Sequence, residues 1–251
     1  MNIAPFLKLV EIRTKIISVS TVILATLYAA ADGHRVSILP YVLVVSAALL
    51  VDMGTTAANS LMDYLRGVDR KERNRETDKV LVLGSFDPTD ALIVVIALFL
   101  LAAILGTVLA FVTSALLIPA GVACIAVGLA YSVGPLPLSS TPAGELFAGG
   151  TLGTALFLIV YYVVAGTLSR DALLVSIPST LFIASILTAN NTCDIEGDRD
   201  AGRRTLSILM GRRASEAQIY LLGAAAYALL LVYSLRGVLP SVSLYPILAS
   251  V

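Results

Sequence analysis

The run Ala91-LIVVIALFLLAAILGTVLAF-Val112 holds 22 consecutive residues without a single charge. Crossing about 30 Å of hydrocarbon takes roughly 20 apolar residues at 1.5 Å rise each, and only a helix satisfies its own backbone polar groups in lipid. The run therefore reads as a membrane-spanning helix. Outward from it, similar runs occupy residues 15–31, 39–61, 116–133, 145–165, 172–189 and 217–235, with a shorter one at 238–251. The expected fold is all-α: a polytopic transmembrane bundle of about eight segments, forming one integral-membrane domain over residues 1–251. The last run is too short for a full span, so it reads as an incomplete helix or as an interfacial half-span.

Composition agrees. Hydrophobic residues make up 58% of the chain and charged ones 14%, with mean hydropathy +0.91, which excludes a water-soluble globule. Net charge is zero, so no basic excess points to nucleic acid. The two cysteines are too few for a disulfide framework. Fourteen of the 17 Lys and Arg residues fall on one side if the N-terminus is cytoplasmic. Positive residues in short loops stay on that side, so the expectation is a multi-pass protein of the cell membrane with its N-terminus and charged loops in the cytoplasm.

Those loops carry two related polar clusters. The first is Asn59-SLM-Asp63-YLR-Gly67-V-Asp69-Arg70-Lys71, and the second Asn190-Asn191-TC-Asp194-IEG-Asp198-RDA-Gly202-Arg203-Arg204-Thr205-Leu206. In each, Asn precedes Asp by four residues, which stacks amide and carboxylate on one helical face. Their recurrence four segments apart, in the same orientation, suggests two related four-helix units. Asn190, Asp194 and Asp198 fall at i, i+4 and i+8. Asp63 and Asp69 would diverge on a continuous helix, so Gly67 is expected to end the helix and turn Asp69 back.

Asp63, Asp69, Asp194 and Asp198 would repel one another unless cations intervened. Hard carboxylate oxygens suit Mg²⁺, which keeps part of its coordination for water and phosphate. Arg70, Lys71, Arg73, Lys79, Arg203 and Arg204 stand close in sequence, ready to offset a diphosphate. The economical reading is a metal-bridged diphosphate at the membrane rim.

These clusters closely resemble the two motifs of the UbiA-type intramembrane prenyltransferases, N-x3-D-x3-G-x-D and N-N-x2-D-x3-D-x3-G-K/R-x-T-L. Asn59, Asp63, Gly67 and Asp69 match the first; Asn190, Asn191, Asp194, Asp198, Gly202, Arg203, Thr205 and Leu206 match the second. Between them, Tyr131-S-V-GPLPL and Gly144-Glu145-L-Phe147 are most similar to the 1,4-dihydroxy-2-naphthoate polyprenyltransferases of that family. The resemblance implies Mg²⁺-dependent transfer of a polyprenyl group from an allylic diphosphate to an aromatic acceptor in menaquinone biosynthesis. It casts the four Asp residues as metal ligands and, with Asn59 and Asn190, as the catalytic set. The cations named above would bind the diphosphate, and Asn191 would bind substrate, with Asn190 or Asn191 helping to hold an acceptor carboxylate. This sequence departs in three ways: the family usually has nine helices, Lys79 is followed by Val80 where proline is common, and Arg203 replaces lysine.

An acceptor needs polar partners deeper in the bundle, where a charge is costly and suggests function. Asp52, seven residues before Asn59, is one candidate, and Glu145 and Tyr131 are others. Arg13 and Lys15, opening the first span, either set topology or pair with an acceptor carboxylate. Tyr161 and Tyr162 are expected to anchor the interface. Competing readings are another activity of the same family (prenyl transfer to 4-hydroxybenzoate or a glycerophosphate, or cyclisation of the prenyl diphosphate) and a cation-coupled transporter.

Overall fold

The computed structural model describes residues 3–69 and 79–240. Arg70, Lys71 and Arg73, and most of the short closing run at 238–251, lie outside the described residues. Most of the described chain is helical: α1 (Ile3–Leu9), α2 (Ile16–Ala31), α3 (Ile38–Leu65), α4 (Pro88–Val112), α5 (Leu117–Ser132), α6 (Gly144–Gly149), α7 (Leu156–Ala165), α8 (Arg170–Cys193), α9 (Ile195–Asp200), α10 (Leu206–Met210) and α11 (Arg212–Leu235). A 3-10 turn, Ile12–Lys15, leads into α2, and a π-helical turn, Gly150–Ala155, joins α6 to α7. Six continuous helical stretches are long and apolar enough to cross a membrane, and α5 is a shorter seventh.

Local chemistry sets the helix ends. The Asp87 carboxylate accepts from the Thr89 N–H at 2.7 Å with Pro88 in the first turn, and Ser169 accepts from the Ala172 N–H at 3.0 Å. Each side chain satisfies an amide that the helix leaves unpaired. At the other end of α7, Gly166 takes φ 74°, a left-handed stop that a Cβ would strain.

The most extensive helix contacts are α3 on α4 and α8 on α11, the second and third spans of each unit. The leading spans of the two units, α2 and α7, also pack together. One buried cluster (Val22, Val44, Leu109, Phe157, Val160, Tyr161) fills the end remote from the motifs. A second (Leu61, Val80, Leu81, Phe86, Val95, Phe99) lies between α3 and α4 at the motif end.

Two expectations change. The fifth span is not one regular helix, because the Gly150–Ala155 turn opens into π geometry where it crosses α8. Tyr161 is not an interface anchor: it is 1% exposed, and its hydroxyl donates to Asp32 Oδ2 at 2.6 Å. A buried phenol needs such a partner, and the acidic residue just after α2 supplies it.

Candidate active site

The first motif ends α3 as its glycine predicts. Gly67 has φ 67°, its N–H donates to Tyr64 O at 3.1 Å, and the Val68 N–H donates to Asp63 O at 2.9 Å. This is a Schellman closure, and it turns Asp69 back over the helix end, where its own N–H also reaches Asp63 O at 3.3 Å. Asp69 then pairs with Lys79 at 3.2 Å. Lys79 is held there because Val80 and Leu81, next along the chain, are buried in the α3–α4 core. One turn back, Asn59 Nδ2 donates to Asp63 Oδ2 at 3.1 Å, and the Ser132 hydroxyl donates to Asn59 Oδ1 at 3.2 Å. Ser132 thereby fixes which way the amide faces. Nothing in the local sequence marks Ser132 for this role, which depends on α5 ending beside α3.

The second motif is bent. Helix α8 stops at Cys193, Asp194 takes φ −101° and ψ 10°, and α9 restarts at Ile195, while the Asp194 and Asp198 amides still donate four residues back. The expected Asn190/Asp194/Asp198 stripe is thus kinked at its centre: Asn190 and Asp194 are exposed, whereas Asp198 is buried. Gly202, at φ 79°, reverses the chain and carries Arg203 back over the site. Thr205 caps α10 by accepting from the Ile208 N–H at 3.4 Å and is fully buried, so it serves the fold.

Arg203 joins the two motifs. Its guanidinium donates to Asp63 Oδ1 through Nη2 and to Asp198 Oδ1 through Nη1, the latter at 3.1 Å. Burial by itself would lower the pKa of Arg203, but Asp63 and Asp198 outweigh it and hold the proton more tightly. Burial pushes the Asp198 carboxyl up, and Asp194 and Asp63 add to this against the opposing pull of Arg203. Asp63 and Asp198 therefore meet at one shared cation, while Asp69 sits on Lys79 and Asp194 faces outward. Among the described residues no three acidic, His or Cys side chains converge on one point.

Two cavities adjoin along α3. A rim cavity of about 530 Å³ is lined by Asp63, Arg66, Thr141, Arg203 and Arg204. Arg66, which sequence reasoning did not single out, donates to Gly134 O at 2.7 Å and ties the end of α3 to the loop after α5. An inner cavity of about 450 Å³ begins one turn away at Asn59, Tyr131 and Asn190 and runs between apolar faces to Val44, Leu109 and Leu117 near the far end. Lys15 and Asp52 line this inner cavity and pair with each other at 2.6 Å. Arg13 is exposed on the turn before α2. Glu145 is buried: Asn191 Nδ2 donates to its Oε1 at 2.8 Å, and its Oε2 has no partner among the described residues.

The model of the UbiA prenyltransferase family matches residues 18–251. The chain belongs to the UbiA prenyltransferase family. It is 31% identical over 193 residues to a 1,4-dihydroxy-2-naphthoate octaprenyltransferase of Bacillus subtilis (strain 168), covering 77% of this chain and 62% of the relative. It is 29% identical to UbiA prenyltransferase domain-containing protein 1 of Xenopus tropicalis, covering 77% of this chain and 56% of that protein. The chain thus spans less than two thirds of the length of these curated relatives. In fold it is similar to a UbiA homolog from Archaeoglobus fulgidus bound to GPP and Mg²⁺, with TM-score 0.70 and 17% identity over 92% of this chain and 78% of that one.

For this UbiA-family chain, the donor set at the rim fits a hard divalent cation. Asp63 and Asp198 present carboxylates to a common centre, Asn59 fixes the orientation of Asp63, and Asp194 is exposed one turn before Asp198. The Arg203 Nε, buried without a partner among the described residues, leaves a donor for an arriving anion.

Proposed function

We propose that the chain transfers a polyprenyl group from an allylic diphosphate to 1,4-dihydroxy-2-naphthoate, a step of menaquinone biosynthesis at the cytoplasmic face of the cell membrane. One observation carries this reading: Arg203 unites an Asp from each motif beside the mouth of a long apolar cavity. The naphthoate as acceptor is supported by the Bacillus subtilis relative, and the diphosphate by the archaeal homolog.

Mg²⁺, held by Asp63, Asp69, Asp194 and Asp198, would neutralise the diphosphate and improve it as a leaving group. The chain's own part is electrostatic and steric. Arg203, Arg204 and Lys79, with Arg70, Lys71 and Arg73, hold the diphosphate oxygens, and Asn59, Asn190 and Asn191 orient the carboxylates and the substrate. The isoprenoid tail lies in the apolar cavity, whose walls exclude the water that would otherwise trap an allylic cation. The allylic C–O bond breaks with its electron pair leaving on the diphosphate. A ring carbon of the acceptor then bonds to the allylic carbon, and the ring carboxylate departs as CO₂. Tyr131, at the cavity mouth, presents its ring or hydroxyl to the reacting groups.

Isotope-labelled prenyl diphosphate, incubated with the purified chain and dihydroxynaphthoate, should give labelled product and CO₂ in equal amounts, and EDTA should stop it. Product from 4-hydroxybenzoate, a glycerophosphate or no acceptor would move the assignment within the family. Full activity in EDTA would overturn the metal-bridged site, and metal-ion flux without product would favour the transporter.

The orientation has its own test. In a chain with Cys124 and Cys193 changed to Ser, cysteine placed at exposed Arg212 should label only from the cytoplasm, and at exposed Arg35 only from outside. The reverse pattern would invert the topology.

A further inference from the structure

The Lys15–Asp52 pair stands in a setting that a purely structural ion pair does not need. Lys15 is 4% exposed, and the two side chains retain 5% and 10% of their surface while lining the inner cavity. Asp52 lies seven residues before Asn59 on α3, about 10 Å deeper by helical rise. Asp52, Thr56, Asn59 and Asp63 make one polar stripe on a helix whose other cavity-facing residues are mostly apolar. Burying two charges costs several kcal/mol per ion, and an apolar pair of similar volume would tie α2 to α3 at least as well.

The donors and acceptors of this cluster do not balance. Lys15 Nζ donates to Asp52 Oδ1 at 2.6 Å, to Thr56 Oγ1 at 2.7 Å and weakly to Asp52 O at 3.5 Å, which uses all three of its N–H groups. The Thr56 hydroxyl donates to Asp52 O at 3.0 Å, and the Ser18 hydroxyl to Asp52 Oδ2 at 2.5 Å. Every polar hydrogen is engaged. What remains is accepting capacity: lone pairs on both Asp52 oxygens, on Thr56 Oγ1 and on Ser18 Oγ. The cluster is also neutral overall, so Lys15 is not the free cation that an acceptor carboxylate would seek, as one sequence reading had it.

We propose that Lys15, Asp52, Ser18 and Thr56 form a subsite that accepts a hydrogen bond from a ring hydroxyl of the aromatic acceptor and disfavours an acceptor carboxylate at that depth. This rests on the transfer reaction proposed above and adds to it an orientation. The hydroxyl points into the bundle toward Asp52, and the ring carboxylate stays on the side of the motif cations. Lys15 acts as a positioning residue that holds the Asp52 carboxylate aimed. A hydroxyl donating to a carboxylate also enriches its ring in electron density, which suits attack on an allylic carbon.

The test compares an acceptor with its hydroxyl O-methylated, by equilibrium dialysis of the labelled compounds against the purified wild-type chain without prenyl diphosphate. The O-methyl ethers of dihydroxynaphthoate are made one at each hydroxyl. One of the two ethers should bind about tenfold to hundredfold more weakly than the parent, the range for a hydrogen bond to a charged group. Lys15→Met/Asp52→Val, which removes both charges at similar volume, should bind that ether and the parent alike. In the same variant the KM for prenyl diphosphate should stay within about twofold of wild type, since lost uniform binding of one substrate shows in its own KM. Asp52→Asn serves as a second variant if the double one does not fold; its amide oxygen still accepts but carries no charge, so discrimination should fall severalfold. Equal binding of the parent and both ethers by wild type, or full discrimination in either variant, would reduce the pair to a structural link. If transfer goes to 4-hydroxybenzoate instead, that acceptor and its methyl ether replace the naphthoate series, so the subsite and the acceptor assignment can fail separately.

Discussion

Asp63→Asn should lower kcat/KM for prenyl transfer by about a thousandfold or more, a loss of roughly 4 kcal/mol of transition-state stabilisation. Asp63 is 5% exposed, accepts from Asn59, and shares Arg203 with Asp198 across the two motifs. The amide keeps the shape and the contact with α5 through Asn59, so the fold should survive. Arg203 retains Asp198, which avoids the 3–5 kcal/mol that an abandoned buried charge typically costs. What disappears is one negative charge at the point where metal and diphosphate would meet. Steady-state kinetics with labelled prenyl diphosphate, beside a thermal melt of each protein, separates the two effects. Glu196→Gln, an exposed neighbour off the Asp198 contact, should stay close to wild type. An Asp63→Asn enzyme within tenfold of wild type would remove the carboxylate from the chemistry.

Gly153→Val should prevent the chain from reaching a stable fold. A Cβ at Gly153 would stand 2.5 Å from Thr180 N and 2.6 Å from Thr180 Cα and Oγ1, and one at Gly149 would stand 2.6 Å from Thr180 O. These are mostly backbone atoms of α8, which cannot rotate aside as a side chain would. Relief requires the π-helical turn to part from α8, and overpacking of this kind costs about 3 kcal/mol or more where backbones collide. The consequence reaches the site, because α8 carries Asn190 and Asn191 and is followed directly by Asp194. Little monodisperse protein should be recovered in mild detergent, and what is recovered should melt well below wild type. Gly150→Ala, whose Cβ would meet nothing within 4 Å, is the matched control and should melt as wild type does. A wild-type melting curve for Gly153→Val would show that this crossing is not tight.

Much of this architecture can be read from the chain itself. Uncharged runs of span length have one solution in lipid, and they locate the helices to within a few residues: 39–61 becomes Ile38–Leu65, and 91–112 becomes Pro88–Val112. Gly67 stops α3 because only its missing Cβ makes φ 67° comfortable, so the turn at Asp69 is also local chemistry. The i, i+4 spacing of Asn59 and Asp63 already implies their contact. Each of these is decided within about one helical turn, the range over which sequence order equals spatial order.

Other features cross between helices, and there the order of residues carries no distance. Arg203 reaches Asp63 over 140 positions and Lys15 reaches Asp52 over 37; both choices depend on how α3 lies against α2 and against the loop after α9. Lys15 looked equally suited to topology or to an acceptor carboxylate, and only its three donor contacts show that its charge is already matched. Tyr161 looked like an interface anchor until the packing of α7 on α2 placed it against Asp32. The sequence alone thus determined that this chain is a membrane bundle with two Asn/Asp motifs at one end. The tertiary structure decided which carboxylate each cation takes, because a buried charge must find a partner and the partner is whatever the helix packing brings within hydrogen-bond reach.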